Sequence, residues 1–76
     1  MKRNIDYYMA QPYQMVVVKG EEGIYTVFFP DLPGCITTGA TPEEAVMNAE
    51  DAKKCWFQAC MKDHVSIPKP RELTYQ

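Results

Sequence analysis

Phe28-Phe29-Pro30-Asp31-Leu32-Pro33-Gly34-Cys35, followed closely by Thr38-Gly39-Ala40-Thr41-Pro42-Glu43-Glu44-Ala45, decides how this chain is laid out. The run from Ile24 to Phe29 is apolar and β-prone, and it stops at a proline that has no ladder N–H. Pro30, Pro33 and Gly34 then build a turn, a short second run follows at Cys35-Ile36-Thr37-Thr38, and a helix begins at Thr41. Two prolines and a glycine around an Asp-Leu pair make a stiff, outward-bulging corner. Such a corner loses little entropy when a partner docks on it.

Upstream, Tyr13 to Lys19 contains Val16-Val17-Val18 and is broken by Lys19-Gly20, which marks a strand. Gly20-Glu21-Glu22-Gly23 supplies a hairpin loop with two glycines free to take positive φ, so Ile24 to Phe29 returns antiparallel. The two-residue period puts Ile24, Thr26 and Phe28 on one face and Tyr25, Val27 and Phe29 on the other; the first strand sorts into Tyr13, Met15, Val17 against Gln14, Val16, Val18. Neither face is polar throughout. One helix covers one face, so the leftover apolar face predicts a homodimer or higher oligomer that buries it.

Downstream, the helix is expected from Pro42 to about Asp63. Thr41 is its N-cap, Pro42 stands at N1 and Glu44 at N3 completes a capping box. Glu43 and Glu44 open it, and Lys53, Lys54, Lys62 and His64 gather toward its end, as the helix dipole favours. Ala45, Ala49, Ala52, Trp56 and Cys60 recur at steps of four and three and form the expected core stripe, with Val46, Phe57 and Met61 widening it. Trp56 is read as core. Ile67, Pro68 and Pro70 end the helix and lead to a tail, 71–76, in which Leu73, Thr74 and Tyr75 suggest a short edge strand. In the arm 1–12, Ile5, Tyr8 and Met9 are spaced for one or two helical turns before Pro12; the arm is read as a frayed turn packed loosely on the domain, with Tyr7 facing a neighbouring chain as the alternative. The order β-β-β-α-(β) gives an α+β single domain: a three- or four-stranded antiparallel sheet packed on one helix.

Seventy-six residues make one small domain whose core alone is marginal, although 46% hydrophobic residues suffice for folding. Ten acidic and eight basic side chains leave a net charge of −2, which offers no general attraction to nucleic-acid phosphates. No apolar run reaches the ~20 residues that span a bilayer, and the first residues lack the apolar core of a signal peptide, so a cytoplasmic protein without membrane partners is expected. Cys35, Cys55 and Cys60 make an odd set with no C-x-x-C pair, which indicates neither a disulfide framework nor a zinc site and fits free thiols in a reducing compartment.

One ordered string carries more: Tyr25, Val27, Phe29-Pro30-Asp31-Leu32-Pro33-Gly34-Cys35, Thr38-Gly39, Thr41, Glu43-Glu44-Ala45, Asn48-Ala49, Ala52, Trp56, Ile67-Pro68 and Pro70. From about Tyr13 to Pro70 it resembles the antitoxin domain of the HicB family. The resemblance implies a truncated ribonuclease-H-like sheet in a small protein that binds and silences a HicA-type toxin, a ribonuclease that cuts messenger RNA. Many family members add a C-terminal helix-turn-helix or ribbon-helix-helix that binds operator DNA. Here six residues follow Pro70, so a short form is expected, without direct DNA binding by this chain alone.

No enzymatic reading competes. The strands carry no converging carboxylates for a metal nuclease, and Asp31, Glu21 and Glu22 lie in turns. Cys35 and His64 lack an orienting third group and an oxyanion site, and a helix-end histidine serves the dipole; neither catalytic residues nor metal or cofactor ligands are assigned. The expected partner surface is the corner Phe29, Pro30, Asp31, Leu32, Pro33 and Gly34, with Leu32 as apolar anchor and Asp31 as a carboxylate for a basic rim. Two alternatives stay open at this corner: Asp31 as an Asx-type turn residue, and Leu32 folded back as core. The expected function is occlusion of a small basic ribonuclease. The alternatives are a stand-alone oligomerising module without a toxin and, with less support, a small RNA-binding protein.

Overall fold

The computed structural model describes residues 3–71. Its elements run α1 (Ile5–Met9), β1 (Val16–Lys19), β2 (Tyr25–Phe28), β3 (Ile36–Gly39) and α2 (Pro42–Lys62), with a single 3-10 turn at Glu21–Gly23. The strands form an antiparallel sheet in the order β1-β2-β3. This is the α+β fold expected, a three-stranded sheet followed by one long helix. The fourth strand proposed at Leu73 to Tyr75 lies outside the described residues.

Register follows from the hairpin. Val17 stands opposite Val27 and Val27 opposite Thr37, while Val16, Phe28 and Ile36 line up on the other face. Val27 is fully buried, so its face is the one α2 covers. The first strand is shorter than Tyr13–Lys19 because β2 ends at Phe28 and offers no continuing partner. Beyond it the Phe29 N–H turns away to the Cys35 carbonyl at 3.2 Å, and Pro30 has no N–H to donate.

α2 begins as its sequence dictates. Thr41 is extended (φ −131°, ψ 160°), its hydroxyl accepts the Glu44 N–H at 3.0 Å, and Pro42 occupies the first turn. Among the described residues the reciprocal half of the capping box is not made, since the Glu44 side chain extends to solvent. The helix packs tightly on β3 at one point: a Cβ on Gly39 would stand 2.4 Å from the Ala45 nitrogen and 2.7 Å from its Cα. Only glycine permits that approach.

The buried stripe of α2 is Ala45, Ala49, Lys53 and Phe57, not the expected line through Ala52, Trp56 and Cys60. Steps of four advance the inward face by about 40° per step on a helix of 3.6 residues per turn, so the stripe winds as the helix crosses the sheet. Phe57 is fully buried, against Tyr8 and Tyr13 at ring separations of 5.5 and 5.3 Å. Trp56 sits at the core's edge, half-buried, because an indole N–H needs an acceptor; it donates to the Pro33 carbonyl at 3.0 Å. Ile5, Tyr8 and Met9 of α1 pack on this core as their spacing requires. Asn4 caps the short helix by accepting the Tyr7 N–H.

Candidate partner-binding surface

The corner is two consecutive β-turns. Leu32 N–H donates to the Phe29 carbonyl and Cys35 N–H to the Leu32 carbonyl, both at 3.0 Å. Each turn has proline in its second position, and Gly34 in the third position of the second turn has φ +82°, the type II arrangement. The stiffness read from the sequence is therefore built into the backbone.

Its side chains point elsewhere than expected. Leu32 is 1% exposed and Phe29 3%, and both belong to the core. Leu32 therefore cannot be the apolar anchor; of the two readings, packing holds. An apolar side chain in a turn this tight lies under the turn, where the sheet, α2 and Cys35 exclude water from it. Asp31 is neither an Asx-turn residue nor a free charge. Its carboxylate, 8% exposed, accepts the Arg71 backbone N–H at 2.9 Å and pairs with Arg71 Nε at 3.3 Å. What the corner shows to solvent is Pro33 and Gly34, with Pro30 half-buried.

Asp31 thereby clasps the segment after α2. That strap is held a second time where the Tyr13 hydroxyl donates to the Pro68 carbonyl. Burial pushes the Tyr13 phenol above its ordinary 10.0, helped by the charges of Tyr8, Tyr7 and Asp31. Burial also pushes the Cys35 thiol above 9.0, an effect that the nearby Lys53 partly offsets. Lys53 is the residue that periodicity assigned wrongly: read as a helix-end cation, it is buried, with its ammonium 5.2 Å from the Phe29 ring centroid and 3.3 Å from a Glu50 carboxylate oxygen. Its stem fills apolar space while its head reaches Glu50 at the rim. Nothing in spacing marks it, because lysine and alanine at the inner position are distinguished only by the depth of the groove.

Beside the corner, a shallow hollow of about 350 Å³ opens between Pro33, Phe28 and Ile36. It continues onto the sheet face opposite α2. By register and alternation that face presents Val16, Val18, Ile24, Thr26, Phe28, Ile36 and Thr38, without a charged side chain. Val18, Ile24 and Ile36 are 47, 48 and 59% exposed. Two larger hollows, of about 510 and 390 Å³, lie on the opposite side, against Tyr8 and Ile67. Charge is sorted along the sheet: the β1–β2 connection and the start of α2 meet at one end and bring Glu21, Glu22, Glu43 and Glu44 there, while the corner occupies the other end. Among the described residues no three His, Cys, Asp or Glu side chains come together as a metal-ion cluster.

The sheet face opposite α2 is thus neutral and framed by a rigid corner at one end and an acidic loop and helix start at the other. The family model describing the HicB-like antitoxin of bacterial toxin-antitoxin systems matches residues 13–76, and the chain belongs to that family. Among its relatives, the UPF0150 protein Ta0767 of Thermoplasma acidophilum is 37% identical over 57 residues, covering 75% of this chain and 83% of that protein. Antitoxin HicB 1 of Photorhabdus laumondii is 41% identical over 58 residues, 76% of this chain and 37% of that protein. Antitoxin HicB of Escherichia coli K12 is 36% identical over 61 residues, 80% of this chain and 44% of that protein. The chain thus spans less than half the length of the relatives named as antitoxins.

Proposed function

We propose that this protein is an antitoxin that neutralises a HicA-type ribonuclease by covering its surface, without chemistry of its own. The observation that carries the reading is family membership over residues 13–76. The surface supports it. Phe28, Ile36, the half-buried Pro30 and the exposed part of the corner, Pro33 and Gly34, offer a stiff platform, and the carboxylates at the far end of the sheet suit a basic partner by steering its approach. Phe29, Asp31 and Leu32 serve the interface from beneath, by holding the corner's shape.

A second reading rests on the open sheet face: with Val18, Ile24 and Ile36 47, 48 and 59% exposed, a stand-alone module would cover that face with a second copy. Among the described residues no helix is long and apolar enough to cross a membrane.

Co-expression with a short basic reading frame adjacent to its gene, scored by growth, separates the two. Rescue that is lost in Ile36→Asp, while that variant keeps its circular dichroism spectrum, supports the antitoxin. A toxic neighbour that this chain fails to silence overturns it.

A further inference from the structure

We infer that the groove between α1 and the strap after α2 is a second docking surface, which takes an extended acidic segment of a partner protein. The two larger hollows, of about 510 and 390 Å³, share Arg3, Tyr8 and Ile67 and so form one groove. Its walls are stiff. Pro12 follows α1 on its rim, Pro68 and Pro70 stand in the strap, and the strap is fastened twice, by the Tyr13 hydroxyl on the Pro68 carbonyl and by Asp31 on Arg71. A segment that docks here meets a surface already ordered, which lowers the entropic cost of binding.

Charge selects the occupant. Arg3 lines both hollows, His64 and Ser66 line the first and Lys69 the second, and neither lining contains a carboxylate. In a chain of net charge −2 this is a local reversal of sign. Among the described residues Arg3 and Lys69 make no ion pair, whereas Lys53 and Arg71 each do. The Arg3 guanidinium rests 4.4 Å from the centroid of the Tyr7 ring, so it has less freedom left to lose when it pairs with a carboxylate. Between these polar groups the groove is apolar, with Tyr8 and Ile67 at the junction of the hollows and Met61 and Val65 at one end. Carboxylates separated by apolar side chains match that order. A nucleic-acid strand matches it poorly, because phosphates beyond Arg3 and Lys69 would meet a chain of like sign. A basic toxin would bring like charge to the same two residues, so this groove and the sheet's open face call for different partners. The inference therefore does not depend on the antitoxin reading.

Fluorescence anisotropy of the full chain with a labelled peptide of about eight residues, alternating glutamate and leucine, tests it. Saturable binding is expected, weakening as salt is raised from about 50 to 500 mM. R3Q/K69Q should weaken it by about tenfold or more, through loss of two charge-assisted contacts, and should keep its circular dichroism spectrum because both side chains are exposed. K19Q/K54Q removes the same charge from exposed positions outside the groove and should leave the affinity unchanged. A peptide with glutamine in place of glutamate should not saturate the chain. No binding by the full chain, an equal loss in K19Q/K54Q, or equal binding of the glutamine peptide overturns the proposal. So does tighter binding of a single-stranded RNA of the same length that R3Q/K69Q abolishes, which would assign the groove to nucleic acid.

Discussion

Gly39→Ala tests the geometry on which the whole domain rests. The added methyl carbon would lie 2.4 Å from the backbone nitrogen of Ala45 and 2.7 Å from its Cα, where ordinary contact needs about 3.5 Å or more. The obstruction is backbone inside the first turn of a 21-residue helix, so relief requires α2 to move about 1 Å off β3, opening the packing around Ala45 and Ala49. Overpacking of this kind costs about 1–3 kcal/mol, and rigid obstruction argues for the upper end. Two effects oppose it: alanine reduces the entropy of the unfolded chain, about 0.4–1 kcal/mol, and glycine is a poor strand residue. The steric term wins, leaving a net loss near 2 kcal/mol. A domain of this size has a total stability of roughly 4–11 kcal/mol, and the melting temperature should fall by about 8–16 °C. Thermal melts followed by far-ultraviolet circular dichroism read this directly. Adding Ala45→Gly should restore little, because the two shortest contacts are to backbone. An unchanged or raised melting temperature, or full rescue by Ala45→Gly, would refute the reasoning.

Thr41→Ala removes the hydroxyl that accepts the Glu44 N–H and should cost about 1 kcal/mol in chemical denaturation. Asp31→Ala releases the strap; with Arg71 largely exposed the loss is about 1 kcal/mol, and the sharper readout is faster proteolytic cleavage between Ile67 and Arg71. Tyr13 and Cys35 are both neutral when protonated and hold the proton more tightly in the folded state. Their contribution is therefore complete below the ordinary values of 10.0 and 9.0 and is lost as pH rises through the elevated ones, so the urea midpoint should decline above about pH 9, and less steeply in Tyr13→Phe. Lys53→Met replaces a buried ammonium by an apolar chain of similar shape and should leave the urea midpoint unchanged or raise it, because the lost pairing with Glu50 is balanced by the lost desolvation cost.

By itself the sequence determined most of what neighbours along the chain govern, the full capping box at Glu44 and the early start of the first strand excepted. The start of α2 at Thr41-Pro42, its end near Asp63, the β1–β2 hairpin at Gly20–Gly23, the sorting of Val27 and Phe28 to opposite faces and the turn chemistry of Pro30, Pro33 and Gly34 are all read from local stereochemistry, and each stands in the structure. The ordered motif string also carried the family. Only the tertiary structure decided which side chains the packing swallows. The choice of Phe57 over Trp56 depends on the angle at which α2 crosses the sheet, the burial of Leu32 on the depth beneath a turn, and the pairing of Asp31 with Arg71 on where a segment forty residues away returns. Those are long-range distances, and no periodicity of 2 or 3.6 residues encodes them.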